Sequence, residues 1–329
     1  MTFTVLIKPS NYVLLVEEGE TVLDAALRQN FDFPYSCRSA TCATCMGRVL
    51  SGHITYGDVE PYALDETAQA DGYALFCSAK PTSDLIIEVE DVFGTEYKPS
   101  RIAEYKIDSQ ALLGDNLHQI FLSPNTDKKI SYTAGQYLSI VCHDGIQIPF
   151  SIANAPVEGS DQIELHIHDT SKSAYTKEIL NKIETEQKLT LKGPQGRMVY
   201  RNEPTLPIIF VAEGTGIAPL KAIIEDMLAR GIPQEIKLYW SVKNQSRLYL
   251  EDLFKRWAAH VPQFSYQPLL ENESIVEAIA QNTPDLKGHQ VFASGSPDLV
   301  YSLKKELVAK GLNPFFIYSD VFECFPEVV

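Results

Sequence analysis

The sequence predicts a multidomain chain in which a small cysteine-bearing domain, a closed antiparallel sheet and an α/β parallel-sheet domain follow one another. Three observations carry that prediction. Cys37, Cys42, Cys45 and Cys77, four of the six cysteines, fall in the first quarter of the 329 residues. Between residues 95 and 202, short alternating segments are separated by Gly, Pro and Asn turns, the pattern of an antiparallel barrel. From residue 207 on, apolar strands alternate with helical runs, which indicates a parallel sheet with helices on its faces. At 45% apolar content, the chain can fill a core in each part.

In the first part, "FTVLIKP" turns through "SN" into "YVLLVEEGE" as a hairpin. A short helix begins near Thr21, where Thr21 and Asp24 form a capping pair and Leu23, Ala26 and Leu27 give one buried stripe. After the cysteine loop, "GRVLSGHITY" reads as a strand, "DETAQADG" as a short helix and turn, and "DLIIEVE" as a closing strand. Cys37, Cys42 and Cys45 are separated by four and then two residues, and Cys77 follows after 31 more. Four thiolates in this order are the ligation pattern of a plant-type 2Fe-2S cluster, whereas zinc ribbons present two close CxxC pairs. Cysteines gathered this way are also unlike the spread of a disulfide-stapled secreted fold.

The net charge of −15 argues against a nucleic-acid surface. Residues 1–94 hold 5 basic and 14 acidic side chains, a net of −9. That field can steer a basic partner protein, although a solvated face accounts for it as well. No stretch approaches ~20 consecutive apolar residues, and the start lacks the layout of a signal peptide. The expectation is a cytoplasmic protein without membrane insertion.

The linker "DVFGTEYKPSRIAEY" leads into the strands "YLSIVC", "FSIANAP", "QIELHIH" and "KLTLKGPQG". "LPIIFVAEGTGIAPL" is a buried strand entering a Gly-rich turn, and Leu220, Ile223, Ile224, Met227 and Leu228 mark one face of a helix ending at Gly231. The strands "IKLYWSV" and "HQVFASG" precede the helices "LYLEDLFKRWAA" and "DLVYSLKKELVAKG". Gly214 and Gly216 would let backbone amides approach a pyrophosphate at a helix N-terminus. A tight turn alone explains "GTG" equally well.

"PYSCRSATCATCMGRVLSGHI" resembles plant-type ferredoxins of the β-grasp fold, a resemblance that spans residues 1–94 and departs from the family at Ala40, where Gly is usual. Residues 95–329 resemble the ferredoxin-NADP reductase superfamily through "FSIANAP", "GPQG", "GTGIAP" and "SGSP". This implies a flavin-binding β-barrel over 95–202 and an NAD(P)H-binding domain over 203–329. The whole chain resembles the NADH-dependent reductase components of bacterial oxygenases, and "AEGTGIAPLKAIIEDML" with "IYSDVF" resembles the CDP-6-deoxy-glucoseen reductase group. The implied activity is an iron-sulfur flavoprotein oxidoreductase: electrons pass from NADH through FAD and a 2Fe-2S cluster to a separate soluble acceptor protein, an oxygenase or dehydratase component. The resemblance further implies that Phe150 packs against the isoalloxazine, Ser151 hydrogen-bonds near its reactive nitrogen, and Gly214, Thr215 and Gly216 hold the nicotinamide nucleotide. Ser294 and Glu213 then lie near the hydride path, and Phe322 covers the flavin ring.

Several positions depart from the family pattern. Ile148 stands where Arg meets the flavin phosphate, and an apolar side chain cannot replace a guanidinium. His168 replaces a second Arg. The turn "DTSKSAY" replaces a glycine-rich one, leaving Ser171, Ser173, Thr176 and Lys172 as phosphate ligands. Glu213 takes the place of a glycine, with its carboxylate either bonding nucleotide or facing solvent, and Ser294 takes the place of a cysteine. His166 and His168 share one side of a strand without obvious partners and read as surface or structure. Cys324 reads as a tail residue. Lys243 and Arg247 are the cations after "IKLYWSV", too few for a clear NADPH phosphate pocket, which favours NADH. Two alternatives stay open: a flavin reductase using loosely bound flavin as substrate, and an iron-sulfur carrier or regulatory subunit with a flavin-free scaffold.

Overall fold

The computed structural model describes residues 2–29, 31–35, 38–41, 43–89, 92, 101–114, 116–169, 173–200, 206–313 and 316–320. The chain divides into two compact units, one built on residues 1–99 and 301–309 and one on residues 100–300 and 310–329.

In the first unit, β1 (Thr2–Lys8) and β2 (Val13–Glu17) form the expected hairpin. Their alternation turns Val5, Ile7, Leu14 and Val16 into the core. α1 (Val22–Arg28) starts at Thr21, whose hydroxyl oxygen accepts the Asp24 N–H at 3.1 Å and whose proton goes to the Asp24 carboxylate at 2.8 Å. The capping pair therefore forms as the residues predict. β3 (Met46–Ser51), β4 (Ile54–Thr55), α2 (Glu66–Ala70), β5 (Tyr73–Leu75), β6 (Lys80–Pro81) and β7 (Leu85–Glu88) follow. β7 lies parallel to β1, giving the sheet order β2-β1-β7-β3-β5. A mixed sheet with its first and last long strands side by side, packed against α1, is the β-grasp arrangement.

The second unit begins with β8 (Arg101–Leu113), β9 (Leu117–Pro124), β10 (Tyr137–Val141), β11 (Gln147–Ser151), β12 (Ile163–His168), α3 (Ala174–Thr185) and β13 (Lys188–Gln195). The six strands pair antiparallel in the order β11-β10-β13-β8-β9-β12. A bridge from Ile152 to Leu165 joins the two outer strands and closes a barrel around Tyr105, Ile120, Leu138 and Leu191. Two expectations are corrected here. Arg101–Tyr105, read as linker, is the start of β8 and pairs with β13, its Ala103 and Tyr105 pointing into the core. An exposed Ile102 on the outer face hides the alternation. The strand in "FSIANAP" ends at Ser151, and beyond it the Asn154 side chain binds the start of β12: its oxygen accepts the Glu164 N–H at 2.8 Å and its amide donates to the Gln162 carbonyl at 3.0 Å.

The remainder alternates β14 (Ile208–Glu213), α4 (Ile217–Ala229), β15 (Ile236–Val242), α5 (Glu251–His260), β16 (Phe264–Leu270), α6 (Ile275–Asn282), β17 (Gln290–Ser294), α7 (Pro297–Ala309) and β18 (Ile317–Asp320). All five strands are parallel in the order β16-β15-β14-β17-β18. The chain winds outward from β14 and then returns to its other side, so a crevice opens beyond the carboxyl ends of β14 and β17. Sequence reading passed over β16, an edge strand whose Gln267 and Pro268 interrupt its apolar run. Among the described residues no helix is long and apolar enough to cross a membrane.

Candidate cofactor sites

Of the four predicted cluster ligands, Cys37 and Cys42 lie outside the described residues. Cys45 and Cys77, 32 positions apart, come together: the Cys77 N–H donates to the Cys45 sulfur at 3.4 Å, and the Cys45 carbonyl accepts the Phe76 N–H at 3.0 Å. Cys45 is buried beside Ala40, Ala63, Leu64 and Leu75. An N–H directed at sulfur stabilises thiolate charge, and a dry apolar surround shields a cluster from solvent. The all-thiolate donor set therefore fits a 2Fe-2S group. The loop takes its shape at a conformational cost, since Arg38, Ala40 and Ala43 all adopt left-handed backbone with φ of 55°, 58° and 58°. For a residue carrying a Cβ that costs roughly 1–2 kcal/mol. Ala40→Gly is accordingly expected to slow thermal loss of the cluster, followed by decay of its visible absorbance. Unchanged or faster decay would show that the methyl is not strained.

β11 presents the predicted flavin strand. Ile148 and Phe150 lie on one face of it, both half-buried against the barrel core, with Ile148 opposite Ile140 and Phe150 opposite Leu138. Ile148 is thus a packing residue and offers nothing to a phosphate. Ser151 pairs through its backbone register with Tyr137 at the strand end. The N-terminus of α3 is capped by Ser173, whose hydroxyl oxygen accepts the Thr176 N–H at 3.2 Å. Ser171 and Lys172 lie outside the described residues, as do Phe322 and Cys324.

The next strand settles His166, read as surface or structure without obvious partners, as a structural residue, and supplies the partners that the sequence did not reveal. His166 is buried, its Nε2 2.9 Å from Glu164 Oε1 and its Nδ1 3.0 Å from the Tyr249 hydroxyl. The carboxylate can only accept, so Nε2 carries a proton directed at it. The same Glu164 takes a hydrogen bond from Gln119 at 2.6 Å and one from the Lys221 ammonium at 2.9 Å. Lys221 lies on α4 with only 5% of its surface exposed, and its other two partners are the Ala153 carbonyl at 2.9 Å and the Glu225 carboxylate at 2.8 Å. Glu225 in turn accepts the Ala155 N–H at 3.2 Å. Burial would raise the Glu164 carboxyl, but the His166 hydrogen bond, the Lys221 charge and the Gln119 hydrogen bond outweigh it and hold the group at about 2. Burial and Glu164 push the Tyr249 phenol well above its ordinary value, which keeps it a donor. Sequence reasoning missed Lys221 and Glu225. The available signal was a lysine adjoining the apolar stripe of α4 with an acid four residues on.

At the nucleotide turn, β14 ends in Glu213, Gly214 takes φ 54°, and Gly214–Gly216 form one 3-10 turn before α4. A Cβ on Gly216 would collide with the Ser294 carbonyl, 2.6 Å from its carbon, and sit 2.9 Å from the Gly295 nitrogen. Only glycine lets the ends of β14 and β17 approach this closely. Thr215 is exposed at the turn and Ser294 is buried at its base. Glu213, partly exposed at the end of β14, turns one carboxylate oxygen toward the loop ahead of α7. Its Oε2 accepts the Ser296 N–H at 2.9 Å, latching the turn to the "SGSP" loop ahead of α7. The result is a cradle of backbone groups at the switch point of a parallel sheet, which fits a dinucleotide. His168, at the end of β12, meets Arg247 from the turn after β15, with Nη1 2.9 Å from Nε2.

Three domain families match in order: the 2Fe-2S iron-sulfur cluster binding domain over residues 5–82, the oxidoreductase FAD-binding domain over 105–200 and the oxidoreductase NAD-binding domain over 210–304. The CDP-6-deoxy-L-threo-D-glycero-4-hexulose-3-dehydrase reductase of Yersinia pestis is 30% identical over 331 residues, covering 98% of this chain and 99% of its own. The reductase component of phenol 2-monooxygenase from Pseudomonas is 32% identical over 294 residues, 89% of this chain and 81% of its own. Among solved structures, the ferredoxin reductase in carbazole 1,9a-dioxygenase, in its FAD apo form, matches with a TM-score of 0.63 at 19% identity over 98% of each chain. Paired thiol ligands, a flavin strand and a glycine cradle in this order, together with likeness along nearly the whole length of such relatives, place the chain in the family of NAD(P)H-dependent iron-sulfur flavoprotein reductases to which the hexulose dehydrase reductases and the oxygenase reductase components belong.

Proposed function

We propose that this reductase takes NADH at the Gly214–Gly216 turn, holds FAD against Phe150 and Ser151, and delivers electrons through a cluster on Cys37, Cys42, Cys45 and Cys77 to a separate oxygenase or dehydratase component. The observation that carries the reading is the Lys221 bridge. One buried ammonium bonds the chain just after Ser151 to the helix that leaves the nucleotide turn. Flavin strand and nucleotide turn are thereby held in one rigid piece, as transfer between two bound rings requires. When bound, the flavin would accept one hydride, two electrons, and release those electrons singly, the conversion that a 2Fe-2S centre needs. The residues around it have positioning tasks. Glu213 keeps the Ser294–Ser296 loop against the turn, Gly216 admits the end of β17 to close approach, and Ser151 offers a hydroxyl to the ring.

Exposed Lys243 and half-buried Arg247 are the two cations in the turn after β15, too few for a clear 2′-phosphate pocket, which supports NADH over NADPH. The acidic first part, net −9 over residues 1–94, supports an acceptor with a basic docking face. A second reading, in which flavin exchanges freely, is favoured by the packing of Ile148 into the barrel. Anaerobic titration of the purified chain with NADH, read as a visible spectrum, separates the two. Bleaching of flavin and cluster bands together without added flavin is the expected result. A cluster spectrum that responds to NADH only after FAD is supplied would replace it with the exchange reading.

A further inference from the structure

The His168–Arg247 pair has no place in the roles above, and its chemistry is incomplete. Arg247 can only donate, so its Nη1–H donates a hydrogen bond to the lone pair of His168 Nε2, and that imidazole carries its proton on Nδ1. This is one of the five guanidinium N–H bonds. The Nε atom is enclosed without a hydrogen-bond partner, and among the described residues no carboxylate lies within ion-pair distance of Arg247. A half-buried guanidinium whose partner is an imidazole and not an acid is an arrangement that an anion completes.

The surroundings point the same way. His168 is the last residue of β12, and Ser173 caps the N-terminus of α3, a helix end whose dipole favours an anion. The turn carrying Arg247 follows β15 and is wedged against the barrel's β8–β9 turn, where a Cβ on Gly114 would lie 2.8 Å from the Ser246 carbonyl. The Asp169 N–H is bonded to the Asn116 carbonyl in that same turn at 2.8 Å. The turn that carries Arg247 therefore sits directly against the barrel, on the side where β12 ends. We propose that Arg247, oriented by His168, is a binding residue for the pyrophosphate of a bound dinucleotide, the charge that Ile148 does not supply. This rests on the FAD- and NADH-binding assignment.

The test uses the full-length chain with its cluster. In one arm, deflavinated protein is titrated with FAD by fluorescence; in the other, FAD-saturated protein is titrated with NAD+ by calorimetry. Arg247→Ala is expected to weaken one of the two by roughly 10- to 100-fold, as for loss of a charge-assisted hydrogen bond. The arm that moves identifies whose pyrophosphate is held. Arg247→Lys, which keeps the charge but loses the planar fork, is expected to weaken the same arm by a smaller factor and serves if the alanine variant does not fold. Affinities for FAD and NAD+ both within about twofold of wild type would overturn the proposal. So would a loss confined to NADP+, which would assign Arg247 to a 2′-phosphate. Failure of the unsubstituted protein to bind either cofactor would count against the cofactor assignment instead.

Discussion

Lys221→Met is expected to destabilise the barrel and nucleotide-binding unit by roughly 3–5 kcal/mol, the cost of removing one partner from a buried ion pair. The ammonium is enclosed by Glu164, Glu225 and the Ala153 carbonyl, and a thioether can satisfy none of them. Glu164, itself 3% exposed, would keep only His166 and Gln119. Urea denaturation followed by tryptophan fluorescence measures the change, with Trp240 in the core of this unit as reporter. A loss below about 1 kcal/mol would mean that the network relaxes or hydrates, and the Lys221 bridge could not then be what aligns the two cofactor positions. The pH profile gives a second readout. The folded Glu164 carboxyl, at about 2, lies below its ordinary 4.5. Its stabilisation is thus fully present above pH 4.5 and is lost as pH falls toward 2. Removing the Lys221 charge raises the folded value, so in the variant less stability depends on this window and the acid limb flattens.

Gly216→Ala is expected to lower kcat/KM for NADH by about 100-fold, the order of loss when reacting groups are misplaced by an ångström. The added methyl cannot coexist with the Ser294 carbonyl, and that obstacle is backbone, not a side chain that can turn away. The ends of β14 and β17 must separate, which breaks the approach that Glu213 and Ser296 maintain. Gly214→Ala is the matched control. Gly214 has φ 54° but nothing within 4 Å of where an alanine methyl would sit, so the cost there is backbone strain of roughly 1–2 kcal/mol without displacement of β17. Stopped-flow reduction with NADH, with the cluster absorbance as an integrity check, compares the two. Equal losses in both variants would show that the turn's flexibility and not its closeness to β17 matters.

What could be read in the residues is local in character. The C-x4-C-x2-C…C spacing, the Thr21–Asp24 cap and the "GTG" turn each depend on neighbours along the chain. Each reappears in space: Cys77 beside Cys45, Thr21 at the start of α1, and Gly214–Gly216 at the switch point of the sheet. The strand-helix alternation after residue 207 likewise implied a parallel sheet, because hydrophobic period reports which face of an element is buried.

The sequence by itself determined the three domain types, their order and the residue chemistry of the cluster and nucleotide turn. Only the tertiary structure decided the partners of the polar side chains. Glu213 and Ser296 are 83 positions apart, as are His166 and Tyr249, and Lys221 reaches Ala153 across 68. No periodicity links such pairs, and a lone charge in a helix looks the same whether it meets water or a buried carboxylate. Burial makes the difference. Once desolvated, these groups must find each other, and that requirement fastens the flavin barrel to the nucleotide sheet.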